Sequence, residues 1–522
     1  MVQSKIVIAL MGFCCAGAEW VALRGDGYEI ATDAGAATAR SMAVRLEALR
    51  ELLGGVKKVL PLRVVLTTNG GLYRSLRPSI GAAGFYQWSP GEDWVVVGWG
   101  GTDSERITSH ELVHAFLEHS GPRRPLWLEE GLAEFYSTAR AERNGWIIGS
   151  PIPSHDAAVR GAELSLFDET DESKAHTGKF YAQSWAVVHY LLTNPGVRDK
   201  SPRFFSLLAD GWSAGAACRE VFGYDSAALL RSAVAARRDT VFVGPLRAPV
   251  EAPPAVTLAD TEEMLVSLAL ASGKPAVAAK LAKTPAQRGY LALADGKKDD
   301  AIRLFDSAIA RGDADGAVYF ERAMLTNDLA LLEEAVKRSP LHAEARFALA
   351  LRVADGARKI DLLREAVRIR PRNASMWHAL ALELKRAGRL PEAAKAALQC
   401  RLSARHQADR DMAAGIARLL TVRDATGSPP KPAVTVPESW QGLRGDTTAE
   451  GMLVDFDCSA APPVLSIVSN GETLKLRLAR PSEVRVTGGT GIQHEFQCGA
   501  QKAPVRVEYI KSSLALAAIA FQ

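Results

Sequence analysis

Two proline-rich segments cut this chain into three blocks, and each block carries a different hydrophobic period. The first segment, residues 245–254, holds Pro245, Pro249, Pro253 and Pro254; the second, residues 421–437, holds Gly427, Pro429, Pro430, Pro432 and Pro437. Proline fixes its own φ and gives up its amide donor, so such stretches read as linkers or domain edges. A chain of 522 residues divided in this way suits three domains at roughly 100–200 residues each. The expected layout is a leader at 1–18, an α+β domain at 19–244, a linker at 245–256, helical repeats at 257–420, a second linker at 421–439 and a small all-β domain at 440–522.

In the first block strand-like runs come before helical ones. Tyr28-Glu29-Ile30-Ala31-Thr32, residues 62–67 and residues 94–99 are β-branched or aromatic runs suited to strands, and residues 37–53 have helical spacing. From Ser109 onward the spacing is mostly helical, which predicts an α+β domain. In the second block Gly296 precedes Ala301, Phe305 and Ala308 at the spacing by which Gly388 precedes Ala393, Ala397 and Cys400. Ala335 and Pro340 recur as Ala366 and Pro371, and Trp377 stands before Gly388. The block resembles tetratricopeptide repeats, in which small residues let paired helices approach closely; the alternative is a helical bundle without repeats. Residues 360–412 hold 11 Lys/Arg against 6 Asp/Glu, read as a solvated face. In the third block residues 473–478 alternate with period two behind the hairpin signal Asn470-Gly471, and residues 483–486 and 505–509 alternate as well. A small β-barrel or sandwich is expected.

Hydrophobic residues make up 48% and charged residues 23%, which excludes a disordered, collagen-like or disulfide-scaffold chain. The charge of 63 − 59 = +4 gives no argument for a nucleic-acid partner, and no apolar run is long enough to predict a transmembrane helix. Lys5 followed by an apolar run ending Ala16-Gly17-Ala18 has the form of a secretory signal cleaved after Ala18, which predicts a secreted or periplasmic protein. Of the six cysteines, Cys14 and Cys15 leave with the leader, and Cys458 and Cys498 fall together in the β block. A disulfide between those two is expected in an oxidising compartment; the alternative is two buried thiols.

The chemistry is concentrated in residues 109–119, Ser-His-Glu-Leu-Val-His-Ala-Phe-Leu-Glu-His. His110 and His114, four apart on a helix, share one face and can bind one Zn²⁺, with Glu111 beside them to take a proton from water. Downstream, residues 125–134 read Pro-Leu-Trp-Leu-Glu-Glu-Gly-Leu-Ala-Glu. With this second stretch the block resembles the gluzincin (peptidase MA-like) metallopeptidases, and its start is similar to secreted bacterial members that append tetratricopeptide repeats. The resemblance implies Glu130 as third ligand of one zinc ion per chain. Glu134, one turn on, is either the partner that orients a ligand histidine or a rival ligand. The later stretch at 180–191 is similar to a family helix that carries a tyrosine steadying the oxyanion; Tyr181 is the candidate, with His189 and Tyr190 as weaker ones. His119, His155 and His176 read as surface or structural. The resemblance also implies that a strand at 94–99 forms the edge along which substrate backbone lies. The Gly-x-Met-Glu-Asn motif of zinc aminopeptidases is absent, which favours an endopeptidase.

Gly211-Trp212-Ser213-Ala214-Gly215 matches the nucleophile elbow of serine hydrolases, but helical spacing precedes it, so a turn between helices is expected. The reading is a zinc-dependent hydrolase of peptide or protein substrates with protein-binding repeats. The alternative is a catalytically silent protease-like module in a repeat scaffold.

Overall fold

The computed structural model describes residues 19–54, 60–78, 82–121, 123–160, 164–167, 177–236, 241–244, 256–257, 261–404, 407–421, 445–457, 460, 462–479, 484–488 and 499–521. The leader, His176, Cys458 and Cys498 lie outside these residues, and with the two cysteines the expected disulfide. Helices and sheets are divided between two compact units, Met1–Ala413 and Ala414–Gln522.

The first unit begins with strands β1 (Val21–Gly25) and β2 (Tyr28–Thr32), helix α1 (Ala36–Leu52), β3 (Leu62–Thr67), α2 (Gly70–Leu76), β4 (Gly84–Ser89) and β5 (Glu92–Gly98). Helices α3 (Ser104–Glu118) and α4 (Leu126–Ser137) follow. Then come β6 (Arg140–Glu142), β7 (Gly145–Ile148), α5 (Pro153–Ala158), α6 (Gly178–Thr193), α7 (Ser201–Ala209), α8 (Ala214–Phe222), α9 (Ser226–Ala235), β8 (Val241–Val243) and β9 (Val256–Thr257). The main sheet has the order β4-β5-β3-β2-β1-β9, with β2, β3 and β5 parallel and the other pairings antiparallel. Trp94-Val95-Val96-Val97 is apolar without alternation, the pattern of a strand covered on both faces, and all four are fully buried. Val64, Leu66, Val95 and Val97 face α1 and α3, whereas Val65, Trp94 and Val96 face the opposite side. The expected edge at 94–99 is therefore corrected. β5 lies between β3 and β4, and β4 is the edge. Its sequence, Gly-Phe-Tyr-Gln-Trp-Ser, has one fully buried aromatic and no apolar run, so it left no strong strand signal.

The expected linker ends inside this sheet, because Val256 pairs with Ala22. Helix α10 (Thr261–Ala271) then buries Met264, Val266 and Leu268 against Val65, Trp94 and Val96. The helical block thus covers the second face of the sheet and shares one compact unit with it. It continues through α11 (Pro275–Ala278), α12 (Pro285–Ala294), α13 (Lys298–Arg311), α14 (Gly316–Thr326), α15 (Leu329–Arg338), α16 (Ala343–Ala350), α17 (Gly356–Ile369), α18 (Ala374–Arg386), α19 (Leu390–Ser403) and α20 (Gln407–Thr421). Ala301, Ala308, Ala335, Ala366, Ala393 and Cys400 are fully buried where successive helices meet. Gly296 and Gly388, in register in the sequence, both take positive φ, 75° and 73°, as a tight turn between helices requires. No helix among the described residues is long and apolar enough to cross a membrane.

The second unit is a six-stranded sheet of β10 (Thr447–Asp457), β11 (Val464–Ser469), β12 (Glu472–Arg477), β13 (Arg485–Gly488), β14 (Gly499–Ile510) and β15 (Ala515–Phe521). Besides its neighbour β11, β12 pairs with β15 at Arg477 and Ala515, which curls the sheet round on itself. Leu453, Leu465, Ile467, Leu476, Val505, Val507, Leu516 and Ile519 fill the inside. Asn470 and Gly471 both have positive φ, 51° and 84°, the two-residue hairpin turn their identities predict.

Candidate metal centre

β5 delivers the chain to α3 through a tight turn in which the Ser104 hydroxyl accepts the amides of Gly100 and Gly101 at 3.1 and 3.0 Å. One face of α3 is buried through Leu112, Val113 and Phe116, and the face turned to the cleft carries Arg106, Ile107, His110, Glu111 and His114. α4 packs across α3 and α6. At Gly131 an added Cβ would stand 2.4 Å from the Ser184 carbonyl oxygen of α6, so only glycine allows this approach.

The crossing brings three donor atoms together. His110 Nε2 and His114 Nε2 lie 3.0 Å apart, and each lies 3.4 Å from Glu130 Oε2. Among the described residues these three form the group of His, Cys, Asp or Glu side chains spaced to hold a metal ion, with ligand atoms within 4.8 Å of one another. Glu130 is buried, and its Oε2 has no hydrogen-bond donor. Glu134 places Oε1 3.4 Å from His110 Nδ1, and Oε2 accepts from Arg106 at 2.8 Å and lies 3.3 Å from His155 Nε2. Its carboxylate is thus turned to the far nitrogen of the His110 ring, away from the three converging atoms. Glu129 points elsewhere and pairs with Arg372 at 2.7 Å.

Electrostatics follow from this packing. Burial pulls the His110 imidazole down, but the carboxylates of Glu134 and Glu130 outweigh it and hold it well above its ordinary value. His114 is raised in the same way by Glu130 against burial. Glu130 and Glu134, which burial alone would raise, are driven well below the usual carboxylate range by the facing histidines. The centre is a compact box of opposed charges.

It lies in a cleft of about 800 Å³. Glu111 lines this cleft, with its Cγ close to edge strand β4, where a Cβ on Gly84 would be 3.1 Å away. Tyr181 lines it too, its ring 6.1 Å from that of His110. Burial first, then Glu130, Glu111 and Glu134, push the phenol far above its usual range, so its hydroxyl keeps its proton. His189 is elsewhere, a core residue between Phe135 and Trp185. Ser213 of the elbow-like motif caps α8, accepting the Ala216 amide at 3.3 Å, and so belongs to a turn between helices.

Further buried polar residues lie around the end of α3, and of His119, Asp93, Arg370 and Arg372 only Arg372 lines the cleft. His119, expected to be surface or structural, is not at the surface but structural. Nε2 pairs with Asp93 of β5, and Nδ1 lies 3.2 Å from the Ile369 carbonyl oxygen. Nor are Arg370 and Arg372, in the turn between α17 and α18, part of a solvated face. They are only 4% and 8% exposed. Arg370 donates to Asp93 Oδ1 at 3.2 Å and to the Ser89 carbonyl oxygen, and stacks 4.8 Å from the Trp88 ring. Both arginines sat in a helical block whose composition predicted exposure; only long-range packing puts them here.

No family model matches the chain, and no curated protein matches it. Among solved structures it is similar to "MamA RS-1 ArsTM double mutant" at 18% identity and a TM-score of 0.22, over 27% of this chain and 92% of that one. It is also similar to "MamA 41-end from Desulfovibrio magneticus RS-1" at 18% identity and 0.21, over 26% and 88%. At these TM-scores the likeness carries no argument about fold or function.

Proposed function

We propose that residues 19–244 are a gluzincin-type zinc peptidase, an endopeptidase, in a secreted or periplasmic protein whose tetratricopeptide-type repeats engage protein partners. The observation that carries this reading is the convergence of His110, His114 and Glu130 on one point in a cleft that also holds Glu111 and Tyr181. The donor set suits zinc. Two imidazole nitrogens and a carboxylate at zinc bond lengths of about 2.0–2.1 Å in a tetrahedron stand ~3.4 Å apart, close to the 3.0, 3.4 and 3.4 Å found. A buried carboxylate oxygen without a donor, facing two ring nitrogens, is an arrangement that a shared cation would satisfy.

When bound, the ion supplies the positive charge that acidifies water and polarises a carbonyl. The chain does the rest. Glu111 removes the proton of the attacking water and passes it to the leaving amine. The Tyr181 hydroxyl donates to the oxygen on which negative charge develops. Glu134 faces the far nitrogen of the His110 ring at 3.4 Å and so is placed to orient it. β4, an edge strand beside Glu111, offers unpaired backbone groups to an extended peptide. Glu111→Gln should retain one equivalent of zinc and lose peptide hydrolysis by about 10²–10⁴-fold, whereas His110→Ala should lose both. Undiminished hydrolysis by the Glu111→Gln protein, or no zinc in wild type supplied with it, overturns the reading.

A further inference from the structure

We infer that Arg372, a residue of the repeat block, is a positioning residue of the metal centre, tying together the two helices that carry its ligands. The inference rests on the zinc reading above. Arg372 lies one residue before the Asn373 cap of α18, yet its guanidinium reaches into the first block. One nitrogen, Nη2, donates to the Leu117 carbonyl oxygen at 2.7 Å and pairs with Glu129 Oε1, also at 2.7 Å. The other, Nη1, donates to Glu118 Oε2 at 3.3 Å. Leu117 and Glu118 form the last turn of α3, one turn beyond His114, and Glu129 is the neighbour of Glu130 at the start of α4. One cation thus holds the end of the helix bearing both histidines against the beginning of the helix bearing the carboxylate, and it also lines the cleft.

The turn that presents it is itself braced. The Pro371 carbonyl oxygen accepts from Trp377 Nε1 at 2.7 Å and from the Ser403 hydroxyl at 3.3 Å. A guanidinium at a helix C-terminus opposes the negative end of the helix dipole; the Leu117 carbonyl oxygen that Arg372 reaches also accepts from the Ser120 amide and hydroxyl at 3.2 and 3.0 Å. Glu118 and Glu129 are buried, 7% and 6% exposed. Without Arg372 they are two dehydrated anions that have lost their shared counter-charge; Glu129 keeps the Arg124 amide at 3.1 Å, and parting α3 from α4 lets water reach both carboxylates. Parting the helices moves Glu130 away from the two histidines.

The test uses the full chain with Arg372→Met, Arg372→Lys and, for comparison, Arg370→Met, which removes an equally buried cation that bonds Asp93 and Ser89 instead. Zinc dissociation constants are measured against a competing chelator, and amide hydrogen exchange is followed in the metal-free proteins. Arg372→Met should weaken zinc binding by about ten-fold or more, the range for groups that orient metal ligands, and should speed exchange at the start of α4. Arg372→Lys should recover part of both, and Arg370→Met should leave the zinc constant nearly unchanged. Equal zinc losses in Arg370→Met and Arg372→Met mean general loosening and overturn the inference. So does unchanged α4 exchange in Arg372→Met, whether or not the protein binds zinc. A wild-type protein that binds no zinc overturns the peptidase reading instead, and exchange alone then decides whether the tie exists.

Discussion

His342 shows how far burial can move one group. Its Nδ1 accepts the Ala345 amide at 3.2 Å, capping α16, which leaves the proton on a buried Nε2. Burial first, and the Arg370 guanidinium second, lower it from 6.5 to about 4. The folded value lies below the unfolded one, so as pH falls the unfolded chain takes up the proton first. The stability at stake is whole above about 6.5 and is lost as pH falls towards 4. His342→Asn keeps a capping acceptor and removes the titration. Urea unfolding at pH 7 and at pH 4 should show wild type losing up to about 3 kcal/mol more than the variant. Glu134 is tested at the same scale. Glu134→Ala frees the far nitrogen of His110 and should weaken zinc binding by about 10–100-fold, measurable by chelator competition. Most of the candidate centre was legible in the sequence because His110, His114 and Glu130 lie on two short helices at fixed spacings. The partners of Arg372, and of Arg370 outside the centre, were not, since no local period records a partner some 250 or more residues away.

Among the elements, α4 is held by both its core side chains and its backbone. Trp127 and Phe135 are fully buried on it, and Gly131 lies against the α6 backbone. Gly131→Ala must push α6 back or α4 forward, because the obstructing atom is a carbonyl oxygen on the backbone. A cost of about 1–3 kcal/mol is expected, read as a lowered thermal midpoint together with weaker zinc binding, since Glu130 moves with its neighbour. The helix pattern of the second block and the Asn470-Gly471 hairpin were plain in the sequence because each is a local preference. β4 was not, because an edge strand with mixed side chains has neither alternation nor an apolar run. β10 and β15 passed unnoticed for a related reason. Their identity as strands depends on pairing with β14, which lies between them in the sheet.

At the scale of the whole molecule, the proline-rich segments do not divide the structure equally. The second begins just past the boundary between the two compact units, whereas the linker expected around the first ends at Val256, within a sheet. Residues 19–244 alone would leave Val65, Trp94 and Val96 partly uncovered, because α10 packs on them beside Tyr73 and Leu76 of α2. That fragment should aggregate, whereas 19–421 should be monodisperse by size-exclusion chromatography and 440–522 should give a cooperative β-sheet melt by circular dichroism. Three periodic blocks in the sequence become two folding units because the apolar side chains of α10 find their partners in the first block. A further consequence concerns how such a chain can change over generations. A repeat array is ordinarily an interchangeable part, since its units contact only their neighbours. Here the turn Arg370-Pro371-Arg372 is held to both blocks, so recombination that imports a foreign helical block must also import that turn. Inheritance of the two blocks is thereby linked, and helices can be gained or lost freely only beyond α19, whose Ser403 braces the turn.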